Sequence, residues 1–118
     1  MRRIAGIVLL AAAIVGCGGD DDAGPRSVEE FLDRSPQQAV EVEGFLLIDG
    51  DQARLCALIA ESYPPQCGGS SILLDEFDPA AVADVVTTEG DIAWIDQAVL
   101  VLDPTGDGRA TFLAFVGP

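Results

Sequence analysis

The chain has 118 residues, with six Arg, no Lys, no His and twenty Asp plus Glu, for a formal net charge of −14. That balance argues against a nucleic-acid partner, because phosphate binding rests on Lys and Arg neutralising the backbone. Without His or Lys, the sequence cannot build a Ser-His-Asp or Cys-His arrangement, a His-based zinc site or a Schiff base.

The chain begins with Arg2 and Arg3, followed by twelve uncharged, mostly aliphatic residues at 4–15. A bilayer span needs about 20 such residues, so this run is too short for a stable transmembrane helix. A basic start, a short apolar run and small residues at its end read as an export signal. The run closes on Ile14, Val15, Gly16 and Cys17. This tetrad resembles the lipobox of bacterial lipoproteins. The resemblance implies a signal peptide over residues 1–16, cleavage between Gly16 and Cys17, and a diacylglycerol on the Cys17 sulfur. Each buried methylene contributes about 0.8 kcal/mol, and two acyl chains hold where one is marginal. The expected location is the outer face of the bacterial cytoplasmic membrane, held there by the lipid on Cys17. An ordinary cleaved signal with an incidental cysteine, or a short uncleaved anchor, are the alternatives.

Cleavage would leave 102 residues, enough for one domain, with four Arg and a formal charge of −16. Residues 17–37 then read as an acidic, glycine-rich tether. Gly18, Gly19, Asp20, Asp21, Asp22, Ala23, Gly24 and Pro25 offer no apolar side chain larger than alanine. Such a segment cannot offset its ordering entropy, and its carboxylates repel an anionic surface. Within it a short helix is expected over 27–35. Ser27 and Glu30 make a capping box, Val28, Phe31 and Leu32 share one face, and Pro36 ends the helix. The sequence is compatible with this helix either packing on the domain or fraying in the tether.

A single domain is expected over 38–118. Asp49 and Gly50 between two apolar runs mark a tight hairpin. With those two residues as the turn, Ile48 faces Asp51, Leu46 faces Ala53, Gly44 faces Leu55, Val42 faces Ala57 and Val40 faces Ile59. The other face carries Glu41, Glu43, Phe45, Arg54 and Cys56, and Arg54 is within diagonal reach of Glu43. Gly44 in mid-strand suggests a bend. Cys56 and Cys67 read as a disulfide in an exported protein, with two free thiols as the alternative. The stretch ESYPPQCGG, which includes Cys67, reads as an irregular loop, and SSILLDEF as a third strand. DPAAVADVVTTEG reads as a helix: Asp78 is the N-cap, Pro79 the first helical residue, Val82, Val85 and Val86 the apolar stripe, and Gly90 the stop. WIDQAVLVLD is a fourth strand, PTGDG a turn and RATFLAFV a fifth strand.

The predicted class is therefore mainly β. The order β-β-β-α-β-β, with a glycine-bent first strand, resembles the OB-fold, a small five-stranded, partly open barrel. The whole chain resembles small lipoproteins of high-GC, actinobacterial-type bacteria, which implies an envelope location and no particular chemistry. OB-folds often bind oligonucleotides or oligosaccharides, but the basic groove that nucleic acid requires is missing here. Phe31, Phe45, Phe77, Phe112 and Phe115 read as core. Trp94, at the start of the fourth strand, and Tyr63, in the cysteine-tied loop, are the candidate partner contacts. Asp49 with Asp51, and Asp103 with Asp107, are acidic clusters with calcium as the alternative to a turn role, and both sit at predicted turns where Asp is wanted for backbone reasons. The EF-hand pattern is absent, so no metal and no cofactor is implied. The expected function is a non-catalytic binding or accessory module for a small ligand or an envelope protein. One rival is a docking protein using Tyr63 or the sheet face with Phe45 and Leu47. The other is a small hydrolase using a carboxylate pair.

Overall fold

The structure, a computed structural model, describes residues 24–118. The signal peptide expected over 1–16, the lipidation site Cys17 and the tether as far as residue 23 lie outside the described residues. A two-residue strand, β1 (Arg26–Ser27), leads directly into the helix α1 (Val28–Arg34). The Ser27 hydroxyl caps this helix by accepting the Glu30 N–H at 3.0 Å. The helix stops at Ser35, whose left-handed backbone lets its N–H donate to the Phe31 carbonyl at 3.1 Å. The helix packs rather than frays. Val28 and Phe31 are buried in the main core and Leu32 lies against it.

Six further strands follow: β2 (Val40–Asp49), β3 (Gln52–Ala60), β4 (Gln66–Asp75), β5 (Thr87–Glu89), β6 (Ile92–Gly106) and β7 (Arg109–Gly117). They form one sheet in the order β1-β2-β3-β4-β7-β6-β5, and β2 also pairs with β6. That extra pairing closes a hydrogen-bonded ring through β2, β3, β4, β7 and β6. The β4–β7 pair is parallel and the other four pairs of the ring are antiparallel. Alternation along each strand sends one set of side chains into the ring. Val42, Leu46, Leu55, Ile72, Leu100 and Leu102 are fully buried there. Each such side chain contributes about 1.5–3 kcal/mol relative to exposure. No polar or charged residue among those described is buried.

Three local expectations are corrected. The β2–β3 hairpin is shifted by two residues: Asp49 faces Gln52, Ile48 faces Ala53, Leu46 faces Leu55 and Phe45 faces Cys56. The turn is therefore Gly50 and Asp51 rather than Asp49 and Gly50. Gly50 takes φ +61° at the first turn position, as a type II′ turn demands. This register sets Leu46 against Leu55, where the expected one sets it against the smaller Ala53. Because the shift is even, every side chain keeps its predicted face.

The second correction concerns residues 78–90, where the expected α-helix is a single 3-10 turn (Pro79–Val82). Asp78 does cap it, accepting the Ala80 N–H at 3.0 Å, but the helix does not propagate. Short, Val-rich segments gain too little to offset helix nucleation. The β-branched Thr87 and Thr88 instead pair with Trp94 and Ala93 as β5, and Gly90 serves the hairpin turn. Third, β4 starts at Gln66, so Gln66, Cys67, Gly68 and Gly69 belong to a strand rather than a loop. The irregular segment shrinks to 61–65.

Candidate binding groove

The site originates at Gly44. A Cβ placed there would lie 2.9 Å from the Cys56 carbonyl oxygen and 2.9 Å from Val28 Cγ2. Only glycine lets β2 pass this close to β3 and α1. Beyond this crossing the two strands part. Pairing of β2 with β3 ends at Phe45 and Cys56, and beyond it Leu58, Ile59 and Ala60 of β3 pair with β4 alone. On the other side, β1 takes the place β3 has left, pairing with Val42 and Glu43.

Two bulges widen the gap. Between the Gly44–Ala98 and Leu46–Ile95 pairs, Phe45 alone opposes both Asp96 and Gln97. Between the Cys56–Ser71 and Leu58–Gly68 pairs, Ala57 alone opposes Gly69 and Ser70. Bulges of this kind bend a strand and re-aim its side chains. The result is an open groove of about 570 Å³. One wall carries Pro25, Ser27, Glu43, Asp96 and Gln97, the floor is Gly44 and Phe45, and the other wall is Ala57, Leu58 and Ile59. Leu58 is 62% exposed and Ile59 45%. The Gln97 amide donates to Glu43 Oε2 at 2.6 Å, which fixes one of the two carboxylates on the polar wall.

The β3–β4 arm beside the groove is stapled at its root. Cys56 and Cys67 form a disulfide with Cα atoms 5.5 Å apart, inside the normal range. Cys56 packs with Phe45 and Trp94 in a small second core on the outer face of the sheet, with Leu47, Cys67 and Ile92 against it. Trp94 is therefore buried. Tyr63, at the arm's tip, is 72% exposed. Its ring meets Trp94 edge-on, with centroids 5.9 Å apart and planes at 88°. The Tyr63 hydroxyl donates a long 3.3 Å hydrogen bond to Glu89 Oε1 on β5. The Glu89 carboxylate disfavours a neighbouring phenolate, and this, with some desolvation, raises the Tyr63 pKa above its ordinary 10.0. The two candidate partner contacts are thus brought together, one covered and one open.

Arg54 does not reach Glu43. The register shift sets Arg54 opposite Leu47, four residues from Glu43, and its guanidinium instead donates to Ser71 Oγ at 3.3 Å, the diagonal neighbour on β4. Arg109 holds Asp75 through two hydrogen bonds, of 2.5 and 3.2 Å, at the opposite end of the ring. No group of three His, Cys, Asp or Glu among the described residues is placed to hold a metal ion. No helix among them is long and apolar enough to cross a membrane. No protein-family model, curated protein or solved structure matches the chain.

Leu58, Ile59, Asp96 and Gln97 were not legible as site residues. One faint signal exists: the adjacent polar pair Asp96 and Gln97 breaks the alternation of WIDQAVLVLD, which is what a bulge does to a strand.

Proposed function

We propose that this chain is an exported, lipid-anchored and non-catalytic binding module of the bacterial envelope. Its folded part is read as a small OB-like barrel. The five-strand ring, its single parallel pair and a first strand bent at Gly44 support that reading. The observation that carries the binding role is the groove between β1–β2 and the β3–β4 arm, because it joins an exposed apolar wall to a polar one. Concave sites of this composition are where ligands bind. A hydrolase with a carboxylate pair would hold its two acids on either side of a bound bond. Glu43 and Asp96 instead stand on neighbouring strands of one wall, and the facing wall is Ala57, Leu58 and Ile59. Anchoring rests on Ile14, Val15, Gly16 and Cys17, which outline a lipobox.

Two measurements test the proposal. Mass spectrometry of the membrane fraction should find a diacylglyceryl adduct on Cys17, and unmodified soluble protein would remove the anchor. A photo-crosslinking amino acid at Leu58 should capture a ligand or partner in intact cells. The same group at Leu113, exposed on β7 outside the groove, should capture nothing comparable. Equal capture from both positions, or none from either, would overturn the groove as the site.

A further inference from the structure

We infer that the free edge of β3 accepts an extended, Lys- or Arg-bearing segment of another protein as an added strand. This inference rests on the groove being the binding site and names its occupant. The first observation is backbone geometry. Leu58, Ile59 and Ala60 pair with β4 on one side, Ala57 stands opposite the β4 bulge, and none of the four pairs with a strand among the described residues on the other side. In a strand, every second residue turns its N–H and C=O to the same side. Part of this edge therefore presents unpaired donors and acceptors to the groove over about 13 Å, at about 3.3 Å per residue.

The second observation is that this edge carries no charge and no proline, its one blunting feature being the bulge opposite Ala57 at its start. Natural sheets blunt free edges with charges, proline, bulges or a covering segment. Residues 57–60 are Ala, Leu, Ile and Ala, and the first charge is Glu61, just beyond the strand. By contrast, β2 is covered where it faces the groove, because β1 pairs with Val42 and Glu43. One wall is closed and the other is left as a template. Addition of a strand to such an edge gains affinity from main-chain hydrogen bonds and specificity from the side chains beside them.

Charge selects the occupant. The groove is lined by Glu43 and Asp96 and by no basic residue. Arg26 on β1 falls between the lining residues Pro25 and Ser27 without lining the groove itself, while Arg54 and Arg109 are engaged by Ser71 and Asp75. A second copy of this chain, with formal charge −14, would bring like charge to the edge. The chain's own Asp20, Asp21 and Asp22 would do the same. A segment alternating apolar and basic residues meets both walls: its backbone pairs with β3, its apolar side chains cover Leu58 and Ile59, and its cations face Glu43 and Asp96.

The test uses the full chain purified in detergent and three synthetic peptides. The first alternates Lys and Val over about eight residues, a typical strand length. The second replaces Lys by Glu. The third keeps Lys but places proline at two central positions, removing ladder donors. Amide hydrogen exchange should slow at residues 57–60 with the first peptide. Binding should be at least about tenfold tighter than for the other two and should weaken as salt rises. A Leu58→Lys variant, changed at an exposed position, should melt like the wild type and lose the protection.

Several results would overturn the inference: equal binding of the Glu peptide, protection elsewhere in the sheet, or no protection with the Lys peptide. Concentration-dependent protection of 57–60 without any peptide would also overturn it, by assigning the edge to a second copy. Crosslinking from Leu58 in cells separates the two levels of failure. If capture succeeds while the Lys peptide fails, the groove stands and its occupant is different. If both fail, the groove falls with the inference.

Discussion

Replacing Gly44 by alanine tests the close crossing on which the groove depends. The added methyl would meet the Cys56 carbonyl oxygen at 2.9 Å, Val28 Cγ2 at 2.9 Å and Leu55 Cγ at 3.0 Å. A backbone oxygen inside a sheet cannot rotate away, so β2 and β3 must separate or α1 must lift. Overpacking of this sort costs about 1–3 kcal/mol. Restricting the unfolded chain returns about 0.4–1 kcal/mol of that. The net expectation is a loss of about 1–2 kcal/mol. A domain of this size shifts its midpoint by roughly 4–8 °C per kcal/mol, so Tm should fall by about 5–15 °C. Thermal melting followed by circular dichroism, with the disulfide intact, measures it. Combining Gly44→Ala with Val28→Ala should cost less than the sum of the two single changes, because the second removes one of the colliding groups. A Gly44→Ala protein that melts at or above the wild-type temperature would refute the crossing. Strict additivity with Val28→Ala would refute the part assigned to α1.

Two further outcomes follow from the arm. Replacing both Cys56 and Cys67 by Ala should lower unfolding stability by about 3 kcal/mol in the chain-entropy picture, read from denaturant titration. A loss near zero would mean that the arm is held by its strand pairing alone. Tyr63 is the sole tyrosine, so absorbance of its phenolate reports one group. It should titrate above pH 10.0, because the Glu89 carboxylate opposes its ionisation, and Glu89→Gln should bring it back towards that value. The folded pKa is raised, so the stability linked to it is intact below about pH 10 and is lost as pH climbs through the folded value. An unshifted titration would show that the tip of the arm does not rest near β5.

The strands and their faces were legible in the sequence because period-two alternation is a local signal and survives a register error of two. Val42, Leu46 and Ile48 went inward and Phe45 outward in either register. The register itself was not legible. Asp49 and Gly50 form a strong turn pair in sequence, but Gly50 followed by Asp51 forms an equally good turn. The choice between them is made by Leu46 meeting Leu55 across the strands. Asp78 and Pro79 do form a cap and a first turn, as helix signals, yet those features suit a 3-10 turn just as well. What decided against propagation was the pairing of Thr87 and Thr88 with β6, which is a tertiary contact. The groove was least legible of all. It arises from β3 leaving β2 and from two bulges, each of which depends on strands distant in sequence. Its only local traces are Gly44, which suggests a bend, and the break in alternation at Asp96 and Gln97.

The charge of this chain is separable from its fold, and that separation can be measured. Every described Asp, Glu and Arg keeps at least part of its surface in water, and the core within the ring is apolar throughout. Among the described residues no interior ion pair holds the strands together. The Arg109–Asp75 pair is exposed and forms the one salt bridge found among the described residues. A formal charge of −14 on a folded chain therefore acts mainly as self-repulsion, which unfolding relieves by moving the charges apart. At about 0.01 M salt the screening length is about 30 Å and most of these charges feel one another; at about 0.15 M it is about 8 Å and few do. Added sodium chloride should therefore raise the melting temperature over that range, even though it weakens the Arg109–Asp75 contact. A melting temperature that falls with salt would mean that attractive pairs outweigh the net repulsion. The acidic surface would then be part of what holds the ring closed, and it could no longer be treated as a feature kept for selecting a basic partner.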